Sequence, residues 1–129
     1  MREILFRGKT LDGRWVEGSY GHSTIIGEDT YVAAVIYSND TNLFTADWDE
    51  VIPETVGQYI GLTDNNGKKI FEGDIINIEY FETVVENAVI EYVGTSFYGS
   101  TDYDDWELDG YCQLEIIGNI HDNPELLNN

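Results

Sequence analysis

The chain has 129 residues, 42% of them hydrophobic, and carries 25 Asp and Glu against 6 Lys and Arg for a formal net charge of -19. That apolar fraction excludes general disorder, the length suits one ordinary domain or two small modules, and a single cysteine, Cys112, excludes an internal disulfide and a cysteine-rich zinc site. The charge excludes ordinary DNA or RNA binding, which needs cations that displace condensed counterions, and no apolar run approaches the roughly 20 residues of a membrane-spanning helix.

The amino-terminal stretch MREILFRGKT lacks the long apolar segment of a secretory signal, so a cytoplasmic location is expected. Apolar spacing at three and four residues is not sustained anywhere, whereas short β-rich runs recur between turn signals. EILFRGKTLDGRWVEGSYG reads as two strands joined at Leu11, Asp12 and Gly13, where Asp-Gly supplies the positive φ of a tight hairpin. TYVAAVIYS (residues 30–38) is the most apolar strand candidate, broken by SNDTN (residues 38–42). Next, VGQYIGL and KKIFEGDIINIEYF flank Asp64, Asn65, Asn66 and Gly67, where Asn-Gly suits a type I′ hairpin turn. Gly73-Asp74 makes a second turn and feeds a strand that places Ile76, Ile78 and Tyr80 on one face. Two more strands cover VENAVIEYV and GYCQLEIIGNI, and HDNPELLNN offers Asn123 as a cap and Pro124 as the first position of a short helical turn. The expectation is a mainly β fold of small antiparallel strands, with little helix, closing into a small barrel or roll. Residues 1–52 form a hairpin and strand module and residues 53–129 the barrel module, together one compact unit.

Candidate chemistry is sparse. Asp64, Asn65, Asn66 and Gly67 superficially match a calcium loop, but its fifth position is Lys68, a cation where a cation should bind. TDYDDWELDG (residues 101–110) gathers Asp102, Asp104, Asp105, Glu107 and Asp109 at a spacing that fits no defined metal loop. These five acids read either as a solvated face or as a partner surface. His22 and His121 lie far apart, and no phosphate loop, nucleophile elbow or metal-spaced His pair is present. No catalytic residue, metal or cofactor is expected.

Three blocks, FRGKTLDGRWVEG (residues 6–18), VIPETVGQYIGLTDNNGKKIFEGDII (residues 51–76) and IIGNIHDNPELL (residues 116–127), occur in order across the chain. Together they resemble the YopX family of phage-encoded proteins. The resemblance implies a phage or prophage origin and a mostly β fold whose later part is an SH3-type barrel; it implies no activity. Its shared residues are turn and strand signals, not a catalytic set.

Three functions follow as expectations. The first is a non-enzymatic accessory protein that binds a basic host or phage protein through its acidic surface. The second is a DNA mimic that inhibits a nucleic-acid-binding protein. Duplex DNA carries one charge per about 1.7 Å of axis, whereas same-face residues on one strand sit about 6.6 Å apart, so mimicry requires several acidic strands side by side. The third is a small hydrolase with paired carboxylates. No membrane contact is expected, and the sequence leaves the oligomeric state open.

Residues 70–129 contain 14 acidic side chains and no Lys or Arg. Their mutual repulsion opposes compaction and is screened over a Debye length of about 8 Å near 0.15 M salt. The melting temperature, followed by circular dichroism, is expected to be higher in about 0.3 M NaCl than in about 10 mM. A melt independent of salt would show that the acids are too dispersed to repel.

Overall fold

Short antiparallel strands separated by glycine turns make up most of the chain, as the turn chemistry requires. The computed structural model describes residues 5–18, 22–25, 28–37, 47–108 and 112–127, with side chains in 5–18, 51–108 and 112–127. Among the described residues the helical pieces are two 3₁₀ turns, Pro53–Thr55 and Pro124–Leu127. The chain divides into two units, Met1–Tyr59 and Ile60–Asn129.

In the first unit, β1 (Phe6–Lys9) and β2 (Trp15–Gly18) pair antiparallel from Phe6↔Gly18 to Lys9↔Trp15. Their loop is Leu11, Asp12 and Gly13, as expected, closed by the Thr10 N–H on the Arg14 carbonyl (2.8 Å) and the Gly13 N–H on the Thr10 carbonyl (3.0 Å). The Asp12 carboxylate accepts from the Thr10 hydroxyl and from Arg14 Nε (3.0 Å), and these donors hold its pKa below the usual value. Strands β3 (His22–Ile25), β4 (Glu28–Tyr37) and β5 (Asp47–Val51) form a separate antiparallel sheet in the order β3-β4-β5. The apolar stretch expected as a strand lies in β4; the break expected at residues 38–42 lies outside the described residues. Val51, 1% exposed, packs with Val16 and Val56. Gly8 permits this, because a Cβ there would sit 2.9 Å from Val51 Cβ. The next strand, β6 (Gly57–Thr63), pairs with β1 through Gly57 and Gln58 and continues into the second unit.

The second unit continues with β7 (Lys69–Phe71), β8 (Asp74–Tyr80), β9 (Thr83–Val93), β10 (Ser96–Ser100), β11 (Asp105–Glu107) and β12 (Gln113–Asn119). The last five form an antiparallel sheet in the order β11-β10-β9-β8-β12. It curls into a half-barrel, the form that the expected barrel or roll takes. Its interior holds Ile60, Ile70, Ile76, Ile78, Ile90 and Leu114, with Tyr80 packed against them. Ile76, Ile78 and Tyr80 therefore do share one face. Tyr80 also draws β11 toward the end of β8: its ring lies 5.8 Å from that of Trp106 and its hydroxyl donates to the Glu107 carbonyl. A bulge in β9 sets Glu86 and Asn87 against Asn77, with Asn87 at φ +56, a backbone state that Asn tolerates better than most residues.

The β6–β7 turn departs from the expected type I′. That turn needs positive φ at both central residues, yet of Asn66 and Gly67 only Gly67 (φ +80) has it. The cause is Asp64. Its Oδ1 accepts the N–H groups of Asn66 and Lys68 (2.9 Å each), which winds the loop around the carboxylate. The Asp64 N–H bonds the Lys68 carbonyl (2.8 Å) and the Gly67 N–H the Asp64 carbonyl (3.0 Å). Asp64 Oδ2 accepts the Ile116 N–H (3.2 Å), and the Asn65 N–H donates to the Leu114 carbonyl (2.8 Å), so the turn is bonded to β12. Asp64 is 6% exposed; burial pushes its pKa up, but the N–H donors of Lys68, Ile116 and Asn66 outweigh this and hold it below 3.8.

The second expected turn is present at Gly73 (φ +91), whose N–H reaches the Ile90 carbonyl (2.9 Å), while buried Asp74 accepts the Phe71 N–H (2.8 Å). At the chain's end Pro124 opens the 3₁₀ turn, as expected. Asn123 precedes it in the cap position, its carbonyl accepting the Leu126 N–H (3.1 Å), while its side-chain Oδ1 turns back to accept the Asn119 N–H (3.2 Å). Gly118 makes room for it, since a Cβ there would lie 2.7 Å from that oxygen.

Gly67→Val has open space for its side chain, so its cost is that of a β-branched residue at positive φ, about 1 kcal/mol or more. An unchanged chemical denaturation midpoint would count against the turn geometry. Asp64→Asn keeps one acceptor oxygen and loses the charge, with an expected cost of about 1.5–3 kcal/mol at neutral pH. Because the folded-state pKa is depressed, the wild-type advantage is full above the unfolded value near 3.8 and is lost as pH falls through the folded value. Denaturation of both proteins across that range measures the convergence.

Candidate partner surface

Four of the five acids expected at a partner surface stand on one hairpin. Antiparallel pairing sets Ser100↔Asp105, Gly99↔Trp106 and Tyr98↔Glu107. Alternation along β11 turns Trp106 toward the core, and leaves Asp105 and Glu107 exposed on the opposite face. Asp102 and Asp104 are exposed in the connecting turn. Thr101 organises that turn: its N–H reaches the Asp104 carbonyl (2.9 Å), and its hydroxyl oxygen accepts the Tyr103 and Asp104 N–H groups (3.3 and 3.2 Å). Asp104 Oδ1 then accepts the Asp105 N–H (2.9 Å), and the Ser100 hydroxyl donates to Asp105 Oδ1 (2.7 Å). Gly99 sets the height of the hairpin above the core, because a Cβ there would lie 2.7 Å from Ile78 Cδ1. None of these four acids carries an ion pair. Asp109 lies outside the described residues.

The acids are not massed into a continuous field. Between β11 and β9 runs β10, which contributes Tyr98 and Ser100 to the same face. The next acid in the row is Glu91 on β9, directly across from Tyr98.

Beside the hairpin lies a cleft of about 640 Å³ that the sequence did not announce. Its walls come from β9, from the turn between β10 and β11, and from the end of the second 3₁₀ turn. Asn87 pins that last wall by donating from Nδ2 to the Leu126 carbonyl (3.0 Å). Along β9 the cleft meets Val84, Glu86, Val89 and Glu91 in turn; the β10–β11 turn adds Asp102 and Tyr103. The only hint in the sequence is Glu86-Asn87, a polar interruption of an apolar run, which marks the bulge. Asp64 and Asp74, the buried carboxylates among the described residues, do not line this cleft. Among the described residues no group of three His, Cys, Asp or Glu side chains converges to hold a metal, and no helix is long and apolar enough to cross a membrane.

The fold and site together define a small all-β protein, with turn residues fixing the scaffold and acidic side chains exposed on one hairpin. The YopX protein family model matches residues 5–128, and the chain belongs to that family. The chain is similar to the crystal structure of protein EF1440 from Enterococcus faecalis, with 23% identity, a TM-score of 0.54, and coverage of 99% of this chain and 100% of that one. That likeness is one of fold. No curated protein matches the chain.

Proposed function

We propose that the protein is a phage or prophage accessory protein, not an enzyme, that acts in the bacterial cytoplasm by binding a basic host or phage protein through the β10–β11 hairpin. Membership of the YopX family supports the phage assignment. The observation that carries the binding role is the exposure of Asp102, Asp104, Asp105 and Glu107 on one hairpin, without ion pairs. Charges so placed accelerate encounter with a cationic partner and fix its orientation. DNA mimicry draws less support, because neutral β10 separates the acids of β11 from Glu91 and leaves the face several-fold too dilute. Hydrolysis by paired carboxylates draws less still: buried Asp64 and Asp74 are held by backbone N–H donors.

The test compares wild type with a variant carrying Asp102→Asn, Asp104→Asn, Asp105→Asn and Glu107→Gln, which keeps an acceptor oxygen at each position. A basic partner captured from phage-infected lysate should be held in about 0.05 M NaCl and released in about 0.5 M. Its association rate with the variant should fall about tenfold or more. A variant that associates as fast as wild type would reduce the hairpin acids to a solvated face, and tight binding of duplex DNA in a gel shift would overturn the charge argument.

A further inference from the structure

Two hairpin tips stand at the same end of the half-barrel. Strands β8 to β11 form a meander, so the β8–β9 and β10–β11 connections fall on one side. Each tip carries an aromatic ring almost wholly in solvent: Phe81 is 97% exposed and Tyr103 96%. Phe81 occupies the first position of a two-residue loop between the paired residues Tyr80 and Thr83, at φ +35. Glycine is the usual occupant of such a position. A bulky ring is therefore held there at a conformational cost and gains no burial within this chain.

The cleft is lined by Tyr103 at one tip and begins at Thr83, two residues beyond Phe81 at the other. Its β9 wall alternates apolar and acidic side chains, Val84, Glu86, Val89 and Glu91; Val84 is 57% exposed and Leu127, on the facing wall, 40%. An occupant must satisfy both halves of that pattern. With no Lys or Arg between residues 70 and 129, the cleft repels nucleic acid and anionic membrane. It also repels a second copy of this chain, which brings a charge of -19 of its own. A purely cationic chain would leave the exposed apolar groups in water.

We infer that the cleft is a docking site for a basic protein segment in which apolar side chains alternate with Lys or Arg. The apolar groups of the segment cover Phe81, Val84 and Tyr103, and its cations meet Glu86, Glu91 and Asp102. The inference rests on the acidic-surface reading above and adds to it the place and pattern of recognition. Apolar contact supplies residence, while the charges of the rim supply rate and register.

The test titrates the full chain with two labelled nonapeptides of equal charge, one alternating lysine with leucine and one alternating lysine with serine. Fluorescence anisotropy gives affinity, and backbone amide and Trp106 indole shifts map the site. The lysine-leucine peptide should bind more tightly, with shifts on β9 and at Tyr103 and Trp106. Phe81→Gly with Tyr103→Ser, both at exposed positions, should weaken that peptide about tenfold and leave the lysine-serine peptide unchanged. Glu86→Gln, Glu91→Gln and Asp102→Asn together should weaken both peptides. Equal binding of the two peptides, indifferent to the aromatic variant, would overturn the docking inference while sparing the acidic-surface reading. Failure of both peptides to bind at low salt would overturn both. Sedimentation of a free dimer that the aromatic variant disperses would assign the cleft to a second copy and overturn the inference as well.

Discussion

The carboxylate of Asp64 holds together parts of the second unit that are distant in sequence. One oxygen winds the β6–β7 loop by accepting two of its own N–H groups; the other accepts the N–H of Ile116, 52 residues later. A carboxylate inside a protein is costly unless its lone pairs are filled. Here three backbone donors fill them, and ionised acceptors make the stronger hydrogen bonds. The neighbouring Asn65 N–H adds a bond to the Leu114 carbonyl. Strand β12, an edge of the five-stranded sheet, is in this way tied to a turn that precedes it by most of the unit. The isoleucine-rich interior between them is enclosed as a result.

That tie makes the two edges of the sheet unlike. Open strand edges invite pairing with other chains, and proteins blunt them with charge or cover. At β12 the cover is the Asp64 turn. At β11 it is the Tyr80 hydroxyl on the Glu107 carbonyl, together with the exposed carboxylates of Asp105 and Glu107. Acids on an edge strand discourage self-association whatever else they do. The same charges that deter a second copy of an acidic chain attract a basic partner, so protection of the edge and recognition are compatible uses of one hairpin.

Two positions, one in the β8–β9 turn and one in the β9 bulge, obey different rules from the scaffold. At Gly13, Gly67 and Gly73 positive φ falls on glycine, the residue that bears it most easily. At Phe81 and Asn87 it does not. Asn87 has a structural reason: its backbone N–H meets Asn77 Oδ1 (3.1 Å) and its side chain holds the final turn. Phe81 has no such compensation within its own exposed surroundings. Departures from local preference of this kind concentrate where a protein meets something else.

The sequence by itself determined the elements made by local chemistry. Asp12-Gly13, Asn66-Gly67 and Gly73-Asp74 marked loops because only certain residues adopt their backbone angles, and alternation placed Ile76, Ile78 and Tyr80 on one face. Those are properties of neighbours in the chain. Tertiary structure decided what distant residues do to one another. Ile116 and Leu114 bonded the turn wound around Asp64 to a strand about 50 residues later. The sheet order interposed neutral β10 between the acids of β11 and β9, so a run of carboxylates dense in sequence became a dilute face in space. The cleft likewise needed β9, the β10–β11 turn and the chain's final turn to meet. No local pattern encodes such a meeting, because its walls are up to 44 residues apart in the chain (Thr83 to Leu127).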